Sequence, residues 1–500
     1  MMNSTPLNAS TLATIAAGEE LVIVPAYDRK RLVPSIAHIG VGAFHRAHQA
    51  VYLDDLTQYT DGWGEWGIGL LDGDRHMANA LLPQDCLYTV VERSAGADTA
   101  RVVGSMLGYL FAPDDPEAVL RVLADPATRI VSLTITEDGY NVDLHTGVFN
   151  ASNPAILRDL EHPSAPTTVF GYLCEALHRR QAAGLPPFTI LSCDNLQGNG
   201  AIARKAVESF ASLRSDALGS WIAANVAFPN SMVDRITPQT TDAHREMVAQ
   251  DFGIEDRWPV VTEPFRQWII EDEFSHGRPP LELLQEGNVQ VVHDVRPYET
   301  LKLSLLNGSH LAMGYLGYLA GYRLADEVMG DPLFYGAIRR MMDDEVTPLL
   351  PPVPGVDVED YKATLLERFA NPKIADRLSR LCLNGSAKLP TFLLPSISAA
   401  LASHGPHRLL TLTLAGWMRY LQGVDEAGIP FTIEDPQASE LTALAREGRQ
   451  DPRPLLGVRP IFGDLGHNPI VVQALEEALR DVDQHGVKGT LARYLSTANL

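Results

Sequence analysis

The chain of 500 residues holds 62 acidic and 40 basic side chains, a formal net charge of −22, with 45% hydrophobic and 20% charged residues. That is the composition of a folded globular protein of roughly two to four domains; it excludes collagenous, low-complexity and disordered classes, and its charge opposes both a phosphate backbone and an anionic membrane surface. Four scattered cysteines, Cys86, Cys174, Cys193 and Cys382, never form CxxC, so neither a disulfide framework nor a structural zinc site has its ligands in sequence, and a reducing compartment is expected.

The leader MMNSTPLNASTLATIAAGEE has no basic segment followed by an apolar core, and no apolar run approaches the roughly 18 residues of a membrane span, so a soluble cytoplasmic protein is expected. Ile36 to Gly40 (IAHIG) reads as a strand closing on glycine, and His45 to Leu56 as a helix with Ala47, Ala50, Val51 and Leu53 on one face. A second strand, Trp66 to Leu71 (WGIGLL), ends on Asp72 and Asp74. The helical stretches Pro116 to Leu123 and Val169 to Ala183 alternate with β-branched runs, Ile130 to Ile135 (IVSLTI) and Phe188 to Ser192 (FTILS), of the kind buried on both faces of a parallel sheet. This half predicts a doubly wound α/β domain with a mostly parallel sheet. Gln290 to Asp294 (QVVHD) reads as a last strand, and the domain boundary is placed at 288/289. Beyond it Tyr298 to Tyr322, Pro332 to Asp344, Val358 to Phe369, Thr391 to Ala402, His407 to Leu421 and Ile470 to Gly486 all carry helical periodicity, which predicts a largely α-helical domain over 289–500. A cleft between two such domains is the usual place for a small-molecule site.

Three segments have the residue types for chemistry. Gly40-Val41-Gly42 follows the first strand, where glycines permit a tight turn and let backbone N–H groups approach a pyrophosphate at a helix N-terminus; the third glycine of GxGxxG is absent, with Arg46 or Ala47 in that neighbourhood. Asp72 or Asp74, after the second strand, is placed to accept from a ribose diol and to repel a 2′-phosphate, which favours NAD over NADP. On a helix stepping about 100° per residue, Glu299, Lys302, Asn307 and His310 of ETLKLSLLNGSH fall within an arc of about 140°, opposite a seam of Leu301, Leu305, Gly308 and Ala312. The polar arc also holds Leu303 and Leu306, which suits a partly buried site; the alternative is a surface stripe with an i, i+3 Glu–Lys pair.

The third segment, Cys193 to Gly200 (CDNLQGNG), leaves the strand FTILS at its carboxyl end, where α/β enzymes bind ligands; an Asn/Asp/Gly turn is the plainer reading. Thr136-Glu137-Asp138-Gly139 and Pro229 to Arg235 (PNSMVDR) are further polar clusters. No HExxH, GxSxG or GxxxxGK[ST] motif occurs, which argues against metalloprotease, serine-hydrolase and nucleotide-kinase chemistry, and no metal is expected.

Taken together, HIGVGAFHRAHQA (His38 to Ala50), TITEDGY (Thr134 to Tyr140), SCDN with the following NG (Ser192 to Gly200), FPNSMVDRITP (Phe228 to Pro238) and KLSLLNGSH (Lys302 to His310) resemble the polyol-specific long-chain dehydrogenases, and the likeness continues through DPLF, TPLLPPVPG and LERFANPKIADRL. The resemblance covers nearly the whole chain. It implies a Rossmann-type NAD-binding domain over 1–288, a helical substrate and catalytic domain over 289–500, and metal-independent hydride transfer between NAD and the secondary carbinol of a sugar alcohol. Lys302 would be the general base, a role that requires its pKa to fall from about 10.4. Asn195 and Asn307 would hold the developing alkoxide, His310 would orient a substrate hydroxyl, and Glu299 would pass the proton to solvent. The cofactor would lie against Gly40, Val41, Gly42, Ala43, Phe44, His45 and Arg46, with Asp74 at the ribose and Glu137 near the nicotinamide. Asp234, Arg380 and Lys388 would contact substrate.

One departure stands out: the family pattern has an acidic residue just before the selecting aspartate, whereas this chain has Gly73, so rejection of NADP is expected to be weaker unless Asp72 compensates. The expected reaction is D-mannitol to D-fructose and its reverse, by a monomer that binds neither nucleic acid nor membrane. D-arabinitol or sorbitol oxidation, fructuronate or tagaturonate reduction, and a non-catalytic NAD-binding sensor are the alternatives.

Overall fold

The computed structural model describes residues 4–18, 22–143, 146–284 and 288–496. The chain divides into two compact units, Met1–Val295 and Arg296–Leu500. In the first, five strands, β1 (Pro34–Ile39), β2 (Gly64–Gly69), β3 (Met106–Phe111), β4 (Ile130–Leu133) and β5 (Thr189–Ser192), form one sheet in the order β5-β4-β1-β2-β3. Every pairing is parallel. The order reverses at β1, so the carboxyl ends of β1 and β4 flank the crevice where doubly wound sheets bind ligands. β4 and β5 are buried on both faces, as their continuous β-branched sequences require. Helices Pro116–Ala124, Val169–Ala182 and Asn199–Arg214 bury Val119, Leu120, Leu173, Leu177, Val207 and Phe210 against Ala37, Ile39, Val131 and Ile190 of the sheet.

The helix predicted over 45–56 is two helices, Ala43–Ala47 and Gln49–Leu56. The break falls at His48, whose Nε2 lies 2.7 Å from the Gln267 carbonyl oxygen and whose backbone leaves helical geometry (φ −120°, ψ −87°). Residues Ala47, Ala50, Val51 and Leu53 are all buried, as the periodicity predicts. A second sheet follows: β6 (Ser231–Asp234) antiparallel to β7 (Gln267–Glu271), and β7 parallel to β8 (Val289–Val292). Because β8 pairs with β7, residues 289–295 belong to the α/β unit, whose limit lies seven residues beyond the boundary placed at 288.

Among the described residues of the second unit every regular element is a helix, and two isolated bridges are the only β pairings. Gly308–Leu319 runs through its core, with Leu311, Ala312, Met313, Tyr315, Leu316 and Leu319 buried. Gly314 and Gly317 allow close packing: a Cβ on Gly314 would lie 3.2 Å from Leu381 and Cys382, and one on Gly317 2.6 Å from Val328. Val358–Phe369 matches its predicted span, and Pro469–Ser496 continues beyond the predicted end through a kink at Gly486 (φ 67°).

Candidate active site

In the α/β unit the turn after β1 is shaped by Gly40. Its φ of 95° is left-handed, and a Cβ would fall 2.1 Å from the Thr134 carbonyl oxygen, so only glycine closes this turn against the end of β4. The Thr134 hydroxyl donates to the Gly40 carbonyl at 2.7 Å and therefore accepts from His38 Nε2 at 2.9 Å. Burial holds the His38 pKa well below the usual imidazole value, so the ring is neutral and its Nδ1 accepts from the Ser132 hydroxyl at 2.8 Å. Gly42 precedes the helix Ala43–Ala47, and a Cβ there would meet nothing nearer than 3.8 Å, which leaves space for a pyrophosphate.

The residues after the turn are divided. Val41 is buried, and Ala43 and Phe44 are half-buried. His45 and Arg46 are wholly buried, with their side chains turned inward, so only their backbone groups are offered at the turn. Arg46 donates from Nη1 to the Trp258 carbonyl at 2.5 Å and lies over the Tyr88 ring. The His45 ring stacks on His38 at 3.5 Å, and its Nε2 lies 3.1 Å from Glu65 Oε2. Burial pushes the Glu65 carboxyl up to about 7; burial first, then Arg46, pushes His45 down to about 3.

After β2, Asp74 accepts the Leu71 amide through Oδ2 at 2.9 Å, while Asp72 and Gly73 are exposed. A Cβ on Gly69 would fall 2.6 Å from Asp74 Cβ, so this glycine lets the aspartate fold over the strand end. Of the two acids open to the ribose role, Asp74 is the anchored one. Glu137 is exposed on the turn after β4, Asn195 is exposed after β5, and Asp234 is buried as the last residue of β6.

In the helical unit the predicted continuous helix is interrupted. Arg296–Leu301 passes into a π-helical turn, Lys302–Asn307, before Gly308–Leu319, and the Gly308 N–H reaches back five residues to the Leu303 carbonyl. A π turn advances roughly 80° per residue rather than 100°. On that geometry Asn307 moves from about 140° to about 40° from Lys302, and His310 follows to within about 20° of it. The π turn thus brings the four polar residues onto a narrower arc than the regular helix of the sequence reading. Glu299, Lys302 and Asn307 are buried, His310 is half-buried with its ring 4.9 Å from that of Phe369, and the Asn307 amide oxygen is buried without a donor.

Arg380, on Leu378–Cys382, is held by Asp376 in a bidentate pair at 2.7 and 2.5 Å. Lys388, on Gly385–Phe392, donates to the Leu381 carbonyl at 3.2 Å, so the two cations are tied through one backbone segment. Asp435 caps the Lys388 helix through the Ser386 amide and hydroxyl at 2.8 and 2.7 Å. Asp376 and Asp435 were missed in sequence; the former stands four residues before Arg380, a spacing that marks helical pairs. Among the described residues no group of three or more His, Cys, Asp or Glu is arranged to hold a metal ion.

Known proteins share this arrangement along nearly the full chain. Residues 34–283 match the mannitol dehydrogenase Rossmann domain and residues 294–483 the mannitol dehydrogenase C-terminal domain. Mannitol 2-dehydrogenase of Aspergillus fumigatus is 49% identical over 497 residues, 98% of this chain and 99% of that one. The structure of Pseudomonas fluorescens mannitol 2-dehydrogenase in ternary complex with NAD and D-mannitol is 46% identical with a TM-score of 0.88, covering 99% of this chain and 100% of that one. A D-sorbitol dehydrogenase in substrate-free form is 36% identical with a TM-score of 0.90, covering 97% and 100%. The two TM-scores are equivalent, so the ten-point gap in identity is the more informative difference. With both domain models matched and half the residues identical end to end, the chain belongs to the mannitol dehydrogenase family.

Proposed function

We propose that the protein is an NAD-dependent, metal-independent polyol dehydrogenase that interconverts D-mannitol and D-fructose. The observation that carries this reading is the 46% identity, over essentially the whole of both chains, to an enzyme captured with NAD and D-mannitol. The residues present fit NAD: the Gly40 turn opens at Gly42, and Asp74 stands after β2 with a carboxylate that suits a ribose diol and opposes a 2′-phosphate. When bound, NAD supplies the hydride acceptor.

Every other role belongs to the chain. Lys302 takes the hydroxyl proton during oxidation and returns it during reduction. The Asn195 and Asn307 amides donate to the oxygen as it gains alkoxide charge, a charge better stabilised by fixed dipoles than by mobile water. His310 orients a neighbouring hydroxyl, and Glu299, one turn before Lys302, relays the proton to solvent. Asp234, Arg380 and Lys388 bind the remaining hydroxyls, and Glu137 stands at the nicotinamide end. A neutral polyol is preferred to a uronate because the Arg380 fork already holds the Asp376 carboxylate. Four buried cysteines suit a cytoplasmic setting, and no helix among the described residues is long and apolar enough to cross a membrane. The enzyme acts as a monomer without a macromolecular partner.

The test is a substrate panel with NAD and NADP, comparing kcat/KM for mannitol and fructose with arabinitol, sorbitol and fructuronate. Mannitol and fructose are expected to lead. Sorbitol ahead by more than about tenfold, roughly 1.4 kcal/mol, would favour the second structural relative's reaction instead. Turnover is expected to survive exhaustive EDTA treatment.

A further inference from the structure

The motif SCDN…NG contributes Asn195 to the reading above and leaves its other polar residues unused. Asp194 is 8% exposed, and its carboxylate spans two elements. Oδ2 accepts the Ile135 amide at 3.1 Å and the Tyr140 hydroxyl at 2.6 Å, and Oδ1 accepts the Thr136 amide at 2.9 Å. These three donors enclose the turn that carries Glu137. Thr136 there has φ 63°, a left-handed conformation unusual for a β-branched residue, which persists only where surroundings hold it.

Asn199 is wholly buried at the start of the helix Asn199–Arg214. Its Nδ2 donates to the Asp194 carbonyl at 3.0 Å and to the Ser231 carbonyl at 2.8 Å, and its Oδ1 accepts the Ser231 amide at 2.9 Å. The Ser231 hydroxyl in turn donates to the Ser192 carbonyl at 2.6 Å. Gly200 lets this helix start come so close: a Cβ would fall 2.5 Å from the carbonyl oxygens of both Phe228 and Pro229.

We propose, resting on the reading of the protein as a polyol dehydrogenase, that Asp194 and Asn199 are positioning residues that lock the ends of β4, β5 and β6 into one unit, setting Glu137, Asn195 and Asp234 in mutual register for hydride transfer. Neither side chain need touch substrate or cofactor. Asp194 acts through the Glu137 turn and the backbone of Asn195; Asn199 acts through that same backbone and through β6, which ends at Asp234. A displacement on the order of 1 Å at such groups lowers turnover by about a hundredfold.

Asp194→Asn tests this, because it keeps the shape but turns an acceptor into a donor facing backbone N–H groups. Hydrogen exchange on the cofactor-free protein is expected to quicken over 134–141 and to stay unchanged in the helical unit. In the full enzyme kcat is expected to fall by about tenfold or more, and the primary isotope effect with mannitol deuterated at the reacting carbon to rise. A loss of folded enzyme would lower kcat and leave the isotope effect alone. In an Asn195→Ala background the same substitution is expected to cost less than it does in the wild type, since the two act through one group. Should Asp194→Asn fail to fold, Tyr140→Phe removes a single donor and is expected to move exchange and isotope effect in the same direction. Wild-type exchange and isotope effect in the folded variant, or a fully multiplicative loss with Asn195→Ala, overturns the inference. A wild-type protein that oxidises no polyol with NAD overturns the underlying reading instead.

Discussion

Glu65 has no solvent contact, and its carboxyl, raised by burial from 4.5 to about 7, gives the molecule a titration in an unusual range. Between those values the folded protein holds a proton that the unfolded chain has released. Unfolding therefore releases a proton, and stability falls as pH rises: the contribution is complete below pH 4.5 and lost above about 7. A displacement of that size corresponds to about 3 kcal/mol for a fully buried group. His45 works in the opposite sense, because its folded value of about 3 makes acid below its unfolded value of 6.5 destabilising. Glu65→Gln keeps the shape and removes the first titration alone. Thermal midpoints of the variant and wild type are expected to converge at pH 4.5 and to separate progressively toward pH 8, with the variant the more stable; parallel curves would refute the buried proton. At Lys302 the expectation concerns turnover: Lys302→Ala is expected to abolish polyol oxidation while NADH still binds. Unchanged activity would remove the assigned base, and an inactive wild type that still binds NADH would favour the sensor alternative.

At the scale of elements, the π turn at Lys302–Asn307 is the device that narrows the polar arc, and it amounts to one extra residue in a helix. Deleting Ser304 is expected to restore α-helical geometry and, because four steps of about 100° turn as far as five of about 80°, to leave Asn307 and His310 in their present directions from Lys302, with kcat kept to within about tenfold. Far-ultraviolet circular dichroism is expected to stay the same. A deletion variant whose kcat falls by about a hundredfold would show that the wider turn itself, beyond the direction of its side chains, is needed. Nothing in KLSLLN marks such a turn, since its lysine and leucines favour a regular α-helix. The helix itself was legible, because Leu301, Leu305 and Ala312 repeat at its period and are buried. The parallel sheet was legible for a similar reason: IVSL and TILS leave no polar face. The break at His48, the Asp194 carboxylate bonds and the Asn199–Ser231 bonds were not, because they depend on partners between 32 and 219 residues away that no local pattern announces. Gly40 was legible as a turn glycine, whereas the reason for it, the Thr134 carbonyl 94 positions later, came only with the fold.

For the molecule as a whole, two charge effects compete. Arginine–carboxylate pairs such as Arg75–Asp114 and Arg453–Glu476 are exposed, and exposed pairs contribute about 0 to 1 kcal/mol each and weaken with salt. Against them stands the self-repulsion of a net charge of −22, which salt relieves as the Debye length shrinks from about 30 Å at 0.01 M to about 8 Å at 0.15 M. With 62 acids and 40 bases, pairing every base would still leave 22 carboxylates without a cation, so repulsion is the larger effect. The thermal midpoint is accordingly expected to rise between 0.01 and 0.15 M sodium chloride; a fall would show that ion-pair networks dominate. The same field sorts the ligands. Mannitol and fructose are neutral, so their kcat/KM at saturating cofactor is expected to be nearly independent of salt. NAD and a uronate are anions that the protein's net charge repels, so their association is expected to quicken as salt is added. A cofactor KM that rises steeply with salt would instead point to a local cationic funnel at the Gly40 turn strong enough to outweigh the net charge.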